Sequence, residues 1–409
     1  MRRVFACVLG SLVLAGLVGL GPAAVARGGF HTHVGKVLTS AAVAPDGSIY
    51  AVGERDASGT RGALLIKFHP DGSVAWRRTW LPGPGATTGG NAVDVAPDGT
   101  VSWVGYARRH CEGAGWFLES LTATGWLLRH WITPQWRCGV AQQITEIAAS
   151  NDSIVVSGFD HGCCGDVYSD GWVQRFGRYG GPRWQAPFEP PAGTPQAWYD
   201  RATSLSMGAL GNIYVGGWAA TAKIRDDRSP TPGTAVIEKL TSGGRVLWSR
   251  RIAAAKMPGH TEVAISVRGD RLMVAAGIRG QGVEWYWSKD RRPSDAWLGR
   301  FTVDGRLVWS RSWDKGAPHA AEPAHVAIDA GGDTWVVGTR RDPWDRGLDA
   351  FVRRYGPTGN LLFKRSIDDW KRYTWGTGVA VGGGGAFVTG FVGDNTFEGR
   401  GGRLWWFAG

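Results

Sequence analysis

This 409-residue sequence has no long stretch rich in Ala, Glu, Lys and Leu at helical spacing, so nothing in it argues for a helical domain. After residue 26 no segment approaches the ~20 consecutive apolar residues a membrane span needs, so no membrane span is expected in the mature chain. The net charge is +11, yet the excess is nearly all Arg scattered along the chain. No Lys/Arg block or recognition helix stands out, which argues against nucleic acid as a partner. There is no CxxC or HxxxH spacing, no phosphate loop and no evident nucleophile–base pair. No metal and no cofactor are therefore expected, and whether the chain is an enzyme stays open at this point, with the balance leaning against it.

What is present is glycine (63 residues), tryptophan (23) and short apolar runs punctuated by Gly, Asp, Asn and Pro. That is the pattern of an all-β chain. Residues 1–26 read as a secretory signal peptide: a basic Met1-Arg2-Arg3, an apolar Val4 to Leu20, and Ala24-Val25-Ala26 as a cleavage site. The expected location is extracellular or in the cell envelope. Removing Arg2 and Arg3 would leave the mature chain at +9.

The remainder repeats. A short apolar strand ending in Gly recurs seven times, as in SIYAVGER (48–55), TVSWVGYA (100–107) and DTWVVGTR (333–340). The aligned residues are Gly53, Gly105, Gly158, Gly217, Ala276, Gly338 and Gly390, separated by 52, 53, 59, 59, 62 and 52 residues. Before each lies another strand and a tight turn such as Pro45-Asp46-Gly47, read here as two-residue hairpin chemistry. After each, following a variable stretch, comes a strand–turn–strand motif such as DAFVRRYGPTGNLLFKR (349–365). A large aromatic tends to follow its turn Gly by four: Trp76, Trp248, Trp309 and Phe363, with Trp184 near that place. The second copy departs from this and carries Arg129.

Each unit is thus four antiparallel strands, a to d, and seven such units predict a seven-bladed β-propeller over residues 27–409 as one domain. The chain ends at strand c of the last unit, GGRLWWFAG (401–409), so the N-terminal segment 29–37 is expected to supply the missing strand d and close the ring. The run AVAPDGSIYAVG together with DAFVRRYGPTGNLLFKR resembles the bacterial seven-bladed propeller repeat usually called SBBP. The resemblance implies a secreted or surface-exposed propeller and brings no fixed catalytic residues. Blades 2 and 3 match it least well.

Turns a–b and c–d are short and share one face, whereas the b–c and d–a connections on the other are long and irregular. Function is expected on the second face. Cys111, Cys138, Cys163 and Cys164 converge there on blades 2 and 3, which suggests two disulfides of open connectivity; a zinc or copper site with His110 and His161 is the rival. His31 and His33 share one side of a strand, and Asp160, Asp166 and Asp170 share a loop; both sets read as structural. At the channel mouth lie Asn91, Gln143 and Trp375, with Asp200, Glu262, Glu322 and His325 as weak catalytic candidates. Trp285, Tyr286, Trp287, Trp344 and Trp218 are candidates for binding a partner, with Trp198 and Tyr199 nearby. The reading is a monomeric, non-catalytic secreted scaffold that binds a protein or an envelope polysaccharide. The alternative is a secreted hydrolase or lyase.

Overall fold

The structure is a computed structural model. It describes residues 31–57, 60–83, 85–109, 113–133, 140–162, 169–188, 200–220, 232–258, 262–278, 295–314, 320–341, 347–367, 373–393 and 399–409. These form seven four-stranded antiparallel blades. No helix among the described residues is long and apolar enough to cross a membrane. The innermost strands are Val37–Val43, Ala86–Val95, Val140–Ala149, Asp200–Met207, Val263–Arg268, Ala320–Ile328 and Tyr373–Gly382. The outermost are Val74–Trp80, Leu127–Ile132, Pro182–Pro187, Val246–Pro258, Leu307–Trp313 and Leu361–Ile367, with His31–His33 outermost in blade 7. His31 pairs with Trp405 and His33 with Arg403, so the N-terminal strand closes the ring as expected. Blades 2 and 3, the poorest matches to the repeat, each have all four strands, and a parallel bridge between Ala114 and Ala141 joins them into one sheet.

Gly269-Asp270 of blade 5 and Gly383-Gly384 of blade 7 close two-residue hairpins, whereas the Pro-Asp-Gly turns differ in type from the sequence reading. In the first, Gly47 N–H donates to Ala44 C=O, and only Gly47 has positive φ (82°). This is a type I turn over Pro45-Asp46 followed by a left-handed glycine. Proline's φ near −65° suits the first turn position and forbids the primed turns of two-residue hairpins. Asp46 reinforces it by accepting from Ser48 N–H at 2.9 Å.

The repeated glycine has a specific cause. In six blades the innermost strand carries one extra residue, a β-bulge: Thr39, Asn91, Thr145, Thr203, Ala324 and Thr377. Each bulge pushes a carbonyl of that strand against the glycine opposite. A Cβ on Gly53, Gly158 or Gly338 would overlap the carbonyl oxygen of Val37, Gln143 or Glu322. Blade 5 is the exception at both ends. Ala276 stands in place of the glycine, and the register from Val263↔Ala276 to Arg268↔Arg271 is unbroken.

The bulged side chains staple neighbouring blades around the bore. Thr39 Oγ1 donates to Gly90 C=O (2.8 Å), Asn91 Nδ2 to Ile144 C=O (2.6 Å), Thr145 Oγ1 to Ala202 C=O (2.9 Å) and Thr377 Oγ1 to Leu38 C=O (2.7 Å). Thr203 Oγ1 lies 2.9 Å from Val263 C=O. Further down, side chains cap exposed strand edges: Ile265 and Val267 N–H donate to Ser204 and Ser206 Oγ, both at 3.1 Å. This satisfies backbone groups that would otherwise be left open at the centre of the ring.

A second set of staples runs round the rim. Lys67 Nζ (3.0 Å) and Trp76 Nε1 (3.4 Å) of blade 1 both donate to Ala123 C=O in the c–d turn of blade 2. Arg300 Nη1 and Trp309 Nε1 of blade 5 both donate to Pro357 C=O of blade 6 at 3.0 Å. The aromatic after the turn glycine is therefore a clamp on the next blade. Arg129 takes that part in blade 2: it lies over Phe176 (4.8 Å) and donates to Gly177 C=O of blade 3 at 3.0 Å. Between blades, apolar clusters such as Trp218, Ile237, Val274 and Trp297 fill the wedge.

Candidate functional site

The bore widens into a cavity of about 500 Å³. Its lining comes from the first halves of innermost strands and from residues late in the second strands, such as Phe159 and Trp218. It therefore opens on the b–c/d–a face. The stapling residues Thr39, Asn91, Thr145, Thr203 and Thr377 form a polar girdle around it. Their hydroxyls and amide are committed to blade junctions. The other polar side chains of the lining are Gln143, Glu146, Arg201, Glu262 and His325, with Phe159 as an apolar wall.

Two relationships shape the site. Arg201 lies over the Phe159 ring, 4.4 Å from its centroid, which holds a cation on the wall formed by blades 3 and 4. Glu146 of blade 3 and His325 of blade 6 approach across the bore, with Oε2 3.5 Å from Nε2. Blades 3 and 6 stand on opposite sides of the ring, so this pair spans the floor of the cavity. Glu146 Oε1 also accepts from Ile147 N–H (3.1 Å), while His325 Nδ1 has no hydrogen-bond partner among the described residues.

Asp94 lies deeper in the bore. Burial pushes its carboxyl up to about 7, against the opposing hydrogen bonds from Ala149 N–H (2.7 Å) and Val95 N–H (2.8 Å); the nearby Glu146 charge adds to the rise. It is a half-protonated group near neutrality that also caps the neighbouring strand.

Of the four sequence candidates for catalysis, Glu262 and His325 line this cavity. Asp200 is buried at the start of its strand opposite Ala219, and Glu322 pairs with Thr339; neither is in the lining. Asn91 and Gln143 line it, whereas Trp375 stacks on Phe391 at 4.6 Å. Trp218 is 1% exposed and belongs to the core between blades 4 and 5, so it offers a ligand at most an edge of the cavity wall. Trp198, Tyr199, Trp285, Tyr286, Trp287 and Trp344 lie outside the described residues, as do Cys111, Cys138, Cys163, Cys164, His110 and Asp166. Asp160 accepts from Trp172 Nε1 at 2.8 Å and pairs with Asp170 across the strands, a structural use of both.

Sequence reading passed over Glu146, Arg201 and Phe159. A signal for Glu146 was there. It and His325 occupy the same place in two copies of the repeat, the residue after the bulge. Arg201 and Phe159 carry no such mark, because their approach is set by strands of different blades.

No protein-family model matches the chain, and no curated relative matches it in sequence. Solved structures with similar folds include the β-propeller domain of the Trilobed protease from Pyrococcus furiosus, at 8% identity over 91% of this chain and 94% of that one, with a TM-score of 0.48. The WD40 β-propeller domain of Doa1 is 10% identical over 92% and 95%, with a TM-score of 0.46. An apocarotenoid oxygenase from Synechocystis is 11% identical over 81% and 71%, with a TM-score of 0.47.

Proposed function

We propose that this protein is an exported propeller, of the kind the SBBP repeat suggests, that binds a partner at the channel mouth on its b–c/d–a face. The partner class is a protein segment or an envelope glycan. The observation that carries this reading is the cavity itself. It sits on the face with the long connections, and its lining joins amides and hydroxyls to one exposed carboxylate, Glu262, and one cation, Arg201, held over an aromatic ring. A few placed polar groups around a concave site favour selective binding.

The test is calorimetric titration of the purified mature chain with a panel of envelope glycan fragments and extended peptides, repeated with Arg201→Ala and Glu262→Gln. At least one panel member should bind, with affinity reduced tenfold or more in one variant. Binding that neither substitution affects would remove the mouth from the reading.

A second reading, a hydrolase or lyase, is favoured by the contact between Glu146 and His325, since a carboxylate beside an imidazole suits proton transfer. Turnover of a panel glycan that is lost in both Glu146→Gln and His325→Gln would select it over simple binding.

A further inference from the structure

The outer circumference of the disc has a composition unlike the rest of the molecule. The seven outermost strands contain no Asp or Glu. In blades 4, 5 and 6, which are consecutive, each opens with an aliphatic pair: Val246-Leu247, Leu307-Val308 and Leu361-Leu362, 41% to 49% exposed. Exposed cations flank each pair, Arg245 and Arg250 in blade 4, Arg306 and Arg311 in blade 5, Lys364 and Arg365 in blade 6. None of these six forms an ion pair among the described residues. Arg250 and Arg311 lie against Trp248 and Trp309 and donate to nearby carbonyls, which leaves their charge unneutralised. The acids of this region sit on the turn face instead and point toward other cations: Asp304 toward Lys239 (3.9 Å) and Asp270 toward Arg300 (3.6 Å).

We infer that this rim is a binding surface for a linear acidic polysaccharide that runs tangentially across blades 4, 5 and 6. Unpaired cations repeated once per blade along a convex edge present one sign of charge to any approaching polymer. The exposed aliphatic pairs between them give apolar surface for the carbon-bound faces of sugar rings. A flexible chain can follow the convex rim from blade to blade, whereas a flat bilayer touches only a short arc of it. The inference is independent of the channel-mouth reading, because it uses a different surface.

The experiment measures fluorescence anisotropy of an end-labelled heparin oligosaccharide with the mature chain at about 50 and 300 mM salt. Anionic phosphatidylglycerol vesicles and neutral dextran are tested in parallel. The key variant is Arg245→Glu, Arg306→Glu, Lys364→Glu and Arg365→Glu together; these side chains make no hydrogen bond among the described residues, and an unchanged Tm shows that the variant is folded. If its Tm falls, the two-site variant Lys364→Glu with Arg365→Glu replaces it. Heparin binding that weakens at least tenfold with salt and at least tenfold in the variant, with Glu262→Gln unchanged, is the expected result. No binding at 50 mM salt, wild-type binding by the variant, or binding of vesicles without the oligosaccharide would overturn it. In those cases the cations serve to keep outer strand edges from pairing with other chains.

Discussion

Gly338 lies against the carbonyl oxygen of Glu322 so closely that a β-carbon on it would overlap that oxygen. The same contact recurs in every blade whose innermost strand is bulged, and it is absent from blade 5, where Ala276 pairs in regular register with Val263. Gly338→Ala should therefore destabilise the propeller by about 1–3 kcal/mol through overpacking. Ala276→Gly relieves no clash and should cost no more than about 1 kcal/mol. Urea unfolding of both variants distinguishes them, and equal losses would remove the bulge as the reason for the glycine.

The rim clamps predict a coupled pair. Arg300 and Trp309 donate to one oxygen, that of Pro357. Trp309→Phe and Arg300→Met should each cost about 1 kcal/mol. The double variant should lose more than the sum, because only then is the turn carbonyl left without either donor. Strict additivity in a double-mutant cycle would show that the two donors act separately.

Glu119 is the most heavily committed acid of blade 2. It is 1% exposed and accepts from Arg78 (2.8 and 2.9 Å) and Trp103 Nε1 (3.2 Å), with His130 Nδ1 3.1 Å away. Glu119→Ala strands a cation and a buried indole N–H. The expected loss is about 3 kcal/mol, the lower end for breaking a buried pair, since Arg78 keeps some access to water. Thermal unfolding measures it; a loss below about 1 kcal/mol would contradict the assignment.

Asp94 gives the fold a pH dependence. Its folded-state value near 7 lies above the usual carboxylate range, so between about pH 4 and 7 the folded chain holds a proton that the unfolded chain has released. Its contribution is fully present below that window and is lost as pH rises through 7. Asp94→Asn should flatten the decline of Tm between pH 5 and 8. An unchanged slope would assign the decline to other groups.

Much of this was legible in the sequence. The spacing of Gly53 to Gly390 pointed to seven blades, because four-strand units recurring every 52 to 62 residues admit few arrangements, and the pairing of His31–His33 with the last strand shows the closure. The turn type was misread at Asp46, since the residue pattern alone does not show which position takes positive φ. Glu146 was overlooked because its partner, His325, is 179 positions away in the chain.

The chain itself determined the blades, through local alternation of apolar residues and through turn chemistry acting over a few residues. Only the closed ring decided what the repeated residues do. Thr39 and Trp76 look alike in role from copy to copy, yet each acts on the neighbouring blade. Arg201 and Phe159 become neighbours only when blades 3 and 4 pack side by side, and Glu146 and His325 only when the closed ring sets blades 3 and 6 face to face across the bore.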